Sequence, residues 1–211
     1  MASATIFIIM AVVTFLALVG GSIASAFSAS NIFESTVFNN DKQARDAHSN
    51  LTISAALGFS GIAVLLLIAI IAAFTEGFSV KEFSQEFFEN MSPSQLDLEK
   101  AEAGQRNIAA GQSGRLITMF IWIGITILII ACAILASIGT SQIGNLTTQD
   151  DRSRSAYGSG ITASVLLWIS AVSSIGALIF YIILRNYRTA QLKELKEYNA
   201  QFKETVTIYH E

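Results

Sequence analysis

The sequence predicts an all-α fold: an integral membrane four-helix bundle with amphipathic cytoplasmic helices in its central loop and C-terminal tail. Three observations carry that prediction. Four long stretches, Met1–Phe33, Ala47–Thr75, Leu116–Gln149 and Ser155–Leu184, contain no Lys, Arg, Asp or Glu. Each holds an apolar run of the roughly 20 residues needed to cross the hydrocarbon of a bilayer. The single proline, Pro93, lies outside all four, so no ring interrupts a helix within them. Beyond the stretches, apolar residues recur at three- and four-residue spacing, the period of an amphipathic helix. With 52% hydrophobic and 14% charged residues, the chain is too apolar for an ordinary soluble domain of its length.

The spans are read at about Thr5–Phe27, Ser49–Phe74, Leu116–Ser137 and Gly160–Leu184. They divide the chain into a first hairpin (1–74), a central loop (75–115), a second hairpin (116–184) and a tail (185–211). Ala24-Ser25-Ala26 resembles a signal-peptidase site, but no basic residue precedes the first span. Its apolar region also exceeds the 7–15 residues of a signal core, so it is read as a retained span. Nine basic residues fall in the central loop and tail: Lys81, Lys100, Arg106, Arg115, Arg185, Arg188, Lys193, Lys196 and Lys203. Four fall in the two short loops, Ser28–His48 and Ile138–Ser159: Lys42, Arg45, Arg152 and Arg154. The positive-inside rule then puts both termini and the central loop in the cytoplasm, of a membrane the sequence does not specify.

In the central loop, Phe83, Phe87 and Met91 repeat at helical spacing with Phe88 beside them. They form the aromatic face of a short acidic helix, fit to lie at the interface or to receive another helix. Ser92-Pro93-Ser94-Gln95 reads as a capping box opening a second helix to about Ala110, with Gly111 and Gly114 allowing a bend before the third span. In the tail, Leu192, Leu195, Asn199, Phe202, Val206 and Tyr209 alternate by three and four residues. That is the spacing of a coiled-coil seam, with Asn199 at a core position where an amide sets register. The same pattern serves an intermolecular coiled coil or a helix packed on its own cytoplasmic loop.

Within the spans, small residues stand four apart: Gly21 with Ser25, Ser54 with Gly58, and Ser170 with Ser174. Such pairs let helix backbones approach closely where no hydrophobic force drives association. Ser49–Ser60 aligns with Ser159–Ser170 at a constant offset of 110, with five of twelve positions identical and Asp41 falling on Asp151. This raises a duplicated hairpin, against chance coincidence of Ser, Thr and Leu. Cys132 is the only cysteine and reads as a small packing residue.

No ionisable Asp, Glu, Lys or Arg stands in any span. A charge at mid-membrane costs at least roughly 2.5–3.5 kcal/mol and is kept where function needs it. Neither histidine, His48 or His210, belongs to a metal-binding pattern, and no phosphate-cradling glycine loop or nucleophile elbow appears. The expectation is therefore a non-enzyme with no cofactor and no catalytic or metal residues. The net charge of −3 shows no basic patch for nucleic acid, and no small-molecule substrate is evident. The sequon Asn145-Leu146-Thr147 falls in the second short loop. The layout is similar to that of tetraspanins, claudins and connexin-like proteins, but the paired outer-loop cysteines of those families are absent here.

These readings lead to an expected role as structural anchor or scaffold subunit of a membrane-associated assembly, such as an organellar complex or the membrane layer beneath a virus capsid. Its partners would be the lipid bilayer and other subunits, or further copies of itself. The partner-binding candidates are Phe83, Phe87, Phe88, Met91, Leu192, Leu195, Asn199, Phe202 and Val206. The alternative is a homo-oligomeric channel lined by Ser and Thr, for which Thr14, Ser22, Ser25, Thr118 and Thr126 are candidates.

Overall fold

The computed structural model describes the backbone of residues 2–79 and 98–208, and the side chains of residues 6–67, 70 and 119–183. Four helices make up the described chain: α1 (Ala2–Phe33), α2 (Lys42–Ser79), α3 (Leu98–Gly144) and α4 (Asp151–Ile208). All four contain segments long and apolar enough to cross a membrane: Ile6–Phe33, Lys42–Leu67, Met119–Gly144 and Asp151–Ile183. This is the architecture of a multi-pass membrane protein.

The helices close a square. α1 packs on α2 and α4, α3 packs on the same two, and α1 and α3 scarcely meet across the diagonal. Many large apolar side chains point outward, while the interior combines small polar residues with a few Leu and Ile. Val172, Phe27 and Leu16 are more than 60% exposed, while Ser22, Ser25, Ser28, Ser54, Ser170 and Ser174 are fully buried. A soluble protein would not leave so broad an apolar belt in water. In lipid the belt is solvated, and small buried residues gain close van der Waals contact between helices.

The short loops are shorter than the sequence predicts. Residues 28–33, 42–48, 138–144 and 151–159, read above as loop, are helical, leaving only 34–41 and 145–150 between helices. Capping explains the difference. Asp41 Oδ1 accepts the Gln43 amide at 2.7 Å and starts α2, and Asp150 Oδ1 accepts the Ser153 amide at 2.7 Å and starts α4. The extended helix ends then bury a second apolar cluster of Ala29, Ile32, Val37, Ala44, Ala47, Leu51, Ile143, Leu146 and Ala156. Val37 and Leu146, one from each loop, close this end of the molecule.

α3 runs without a break through Gly111 and Gly114, so the helix read to about Ala110 and the third span are one continuous helix. A helix-interior glycine costs only about 1 kcal/mol, which the long helix absorbs. The aromatic segment around Phe83–Met91 lies outside the described residues.

Burial repeats between the two hairpins, in a register that differs from the sequence alignment. Ile32 and Ile143, Ser25 and Ala136, Ser22 and Ala133, and Leu18 and Ile129 stand 111 residues apart and are all fully buried. In the second helices the spacing is 109: Asp41 with Asp150, Ala44 with Ser153, Ala47 with Ala156, and Gly58 with Leu167 share cap or buried positions. The offset of 110 instead pairs exposed Ser60 with buried Ser170, and buried Gly58 with Trp168 at 44% exposure. The second loop is two residues shorter than the first, which is why no single offset serves both helices.

Candidate functional site

All six helix-packing residues predicted from sequence are buried, and the structure assigns each a seam. At the α1–α4 seam an added Cβ on Gly21 would stand 2.7 Å from Leu167 Cγ, so only glycine admits that side chain. Ser170 on the same seam donates to the Thr14 carbonyl at 2.9 Å. At the α1–α2 seam Gly58 faces the Ser22 hydroxyl. Beside it Ser25 Oγ stands 3.5 Å from Ser54 Oγ, which donates onward to the Cys132 carbonyl of α3 at 2.9 Å. Ser174 turns to the α3–α4 seam: its hydroxyl lies 2.8 Å from Thr126 Oγ1, and its carbonyl accepts the Trp122 indole at 3.2 Å.

These bonds leave the interior chemically quiet. Thr14 and Ser22 donate back to the carbonyls of Met10 and Leu18, one turn earlier. Thr126 donates likewise to Trp122. Of the channel-lining candidates, Thr14, Ser22, Ser25 and Thr126 all lie buried between helices of one protomer; the Thr118 side chain lies outside the described residues. Cys132 is buried and unpaired. Among the described residues no group of three or more His, Cys, Asp or Glu is placed to hold a metal ion.

The loop end holds polar contacts that sequence reasoning missed. Asp150 Oδ2 accepts both the amide of Thr36, at 2.7 Å, and its hydroxyl, at 2.9 Å. One carboxylate thus caps α4 and ties the two loops together. These backbone donors, Ser153 first and Thr36 second, lower its pKa from 3.8 to about 2. A signal was present, since Asp before a helical run marks an N-cap; the cross-loop bond has none. Nearby, the rings of Phe33, Phe38 and His48 pack with centroids 4.9–5.4 Å apart. Ser28, which stands four residues from Ala24, is a further tight-packing position, as are Gly139 and Gly160, which the sequence pattern did not mark. Ser28 donates to the Ala156 carbonyl at 2.6 Å, and a Cβ on Gly139 would stand 3.2 Å from the Ala47 carbonyl.

The tail candidates Leu192, Leu195, Asn199, Phe202 and Val206 lie on the helical backbone of α4, which continues the fourth span without a break. Their side chains lie outside the described residues, as do Phe83, Phe87, Phe88 and Met91 altogether. No protein-family model, curated protein or solved structure matches this chain.

Proposed function

We propose that the chain is a non-enzymatic membrane protein, a four-helix membrane bundle that anchors or scaffolds a larger assembly through its cytoplasmic loop and tail. The observation that carries this reading is the length of α4. It continues from Leu184, the last residue of its charge-free stretch, to Ile208, about 36 Å at 1.5 Å per residue. α3 likewise begins at Leu98, well before its charge-free stretch opens at Leu116. Both extensions leave the end opposite the two short loops, where the positive-inside rule puts the cytoplasm. A long helix with a three-and-four seam is a contact device, either a coiled coil or a rod packed on a neighbour.

The interior supports a structural role over a conducting one. Four of the five Ser and Thr residues that a pore reading would use are buried within the protomer and hydrogen-bonded there. The test is the double substitution Leu195→Asp and Phe202→Asp, followed by gentle extraction and mass spectrometry of the intact particle. The scaffold reading expects partner chains at fixed ratio with the native sequence and their loss in the variant, which still inserts. A homogeneous ring of this chain alone that passes ions in liposomes would replace it with the channel.

A further inference from the structure

We propose that the α1–α4 seam holds one glycerophospholipid, its acyl chain in a lateral groove and its headgroup at Asn31 and Arg152. The proposal rests on the four helices crossing a bilayer and is independent of the scaffold reading. The groove is a shallow, open-sided hollow of about 420 Å³ between Gly20, Ile23, Ala24 and Phe27 of α1 and Ser155, Ser159 and Thr162 of α4. Asn31 closes it at the loop end.

Length selects the occupant. From Gly20 to Asn31 the groove follows α1 for eleven residues, about 16 Å of helix. That is close to half of a hydrocarbon core about 30 Å thick, the depth of one leaflet. A lipid chain needs this much and no more.

Polarity runs in the matching direction. The deep end offers only Gly20, Ile23, Ala24 and Phe27. Ser159 and Thr162 spend their protons on their own helix, donating to the carbonyls of Ser155 at 2.9 Å and Gly158 at 3.2 Å. They ask nothing of the occupant. At the rim Asn31 donates to Ser155 Oγ at 3.3 Å, which leaves the Ser155 hydroxyl hydrogen for an ester carbonyl. Arg152 Nη1 lies 3.5 Å from Asn31 Oδ1 and 3.2 Å from Glu34, with Arg152 59% and Glu34 49% exposed. Glu34 already pairs with this guanidinium, and a lipid phosphate shares it through the remaining N–H donors of the fork.

The equivalent seam shows what makes the groove. By the 111- and 109-residue registers, Gly20, Ala24 and Thr162 correspond to Ala131, Leu135 and Ile53 at the α2–α3 seam. Asn31 and Ser159 correspond to Gln142 and Asn50, which there bond to each other at 2.9 Å. Bulk and a side-chain bridge occupy the positions that the α1–α4 seam leaves open.

The test reconstitutes the full chain in phosphatidylcholine vesicles containing phosphatidylglycerol, extracts it in mild detergent and counts retained phospholipid by native mass spectrometry. One phospholipid per chain is expected. Ala24→Leu, which fills the groove, lowers the retained fraction about tenfold, and Arg152→Gln lowers it by a smaller factor. Val172→Leu, on the lipid-facing surface elsewhere, leaves it unchanged. A benzophenone side chain placed at Ile23 tests the same site in an otherwise native chain, so the answer survives if Ala24→Leu fails to fold. An adduct of phospholipid mass supports the proposal. An adduct with a second copy of this chain, or undiminished retention in folded Ala24→Leu, overturns it. Failure of the native chain to enter vesicles would instead overturn the membrane architecture beneath it.

Discussion

The α1–α4 and α2–α3 seams occupy equivalent places in the two hairpins, yet they are packed by opposite means. At the first, Ser28 donates to the Ala156 carbonyl, and Gly160 leaves room for it, with a Cβ there only 3.2 Å from Ser28 Oγ. At the second, Gly139 replaces the serine and Leu51 replaces the glycine, with Leu51 Cγ 2.9 Å from where a Gly139 Cβ would stand. At this level the seams differ in both volume and chemistry: a serine hydroxyl hydrogen-bonds across one, and a leucine fills the other.

The largest effect on this comparison comes from removing the knob that Gly21 accommodates. Leu167→Ala empties a fully buried site at the α1–α4 seam and is expected to lower stability by about 2–5 kcal/mol. Reversible unfolding in detergent measures it. Next is Gly160→Leu, which imports the knob of the other seam where a Cβ would already stand 2.6 Å from Thr140 Oγ1. Overpacking of this kind costs roughly 1–3 kcal/mol. Adding Ser28→Gly and Thr140→Ala reproduces the Leu51, Gly139 and Ala29 set of the equivalent seam and restores most of the loss. If the triple variant is no more stable than Gly160→Leu alone, the two seams are not interchangeable and the repeat is only a coincidence of burial.

The caps sharpen the same comparison at the loop end. Asp41 holds one amide, whereas Asp150 holds one amide of its own helix and two donors of the opposite loop. Substitution by Ala is therefore expected to cost about 1 kcal/mol at Asp41 and more at Asp150. Acid separates them further. The folded-state pKa of Asp150 is depressed to about 2 from 3.8, so its contribution is fully present above about 4. It is lost as pH falls through about 2. Asp150→Asn keeps an acceptor for the cap and flattens that slope in unfolding measured between pH 5 and 2.

What the sequence made legible follows from what sequence patterns encode. Charge-free runs are a property of composition, so the four spans appear at once. Small residues four apart mark a helix face, so the buried position of Gly21, Ser25, Ser54, Gly58, Ser170 and Ser174 was readable. Which neighbour each meets was not, because that depends on helix rotation: Ser170 turns to α1 and Ser174, one turn on, to α3. Helix ends were misplaced because Lys42–His48 and Asp151–Ser159 are polar, and polarity resembles a loop when the cap at Asp41 or Asp150 is not weighed. The hairpin register was off by one because the loops differ in length. The cross-loop bond of Asp150 to Thr36 joins residues 114 apart, beyond any local pattern.

The smallest effects concern two buried serines. Ser170 donates across the α1–α4 seam to a carbonyl of α1. Bonds of this kind between membrane helices average about 0.6 kcal/mol, because the separated helices also find partners. Ser170→Ala should cost about that much. Ser35 in the first loop is only 5% exposed, and its hydroxyl has no hydrogen-bond partner. An unpaired buried polar group carries a penalty of about 1–3 kcal/mol. Ser35→Ala removes that penalty, so it leaves stability unchanged or raises it, opposite in sign to Ser170→Ala. Unfolding both variants side by side decides whether a buried hydroxyl stabilises this protein through its partner or merely by filling space. A loss at Ser35 as large as that at Ser170 would reject the partner as the cause.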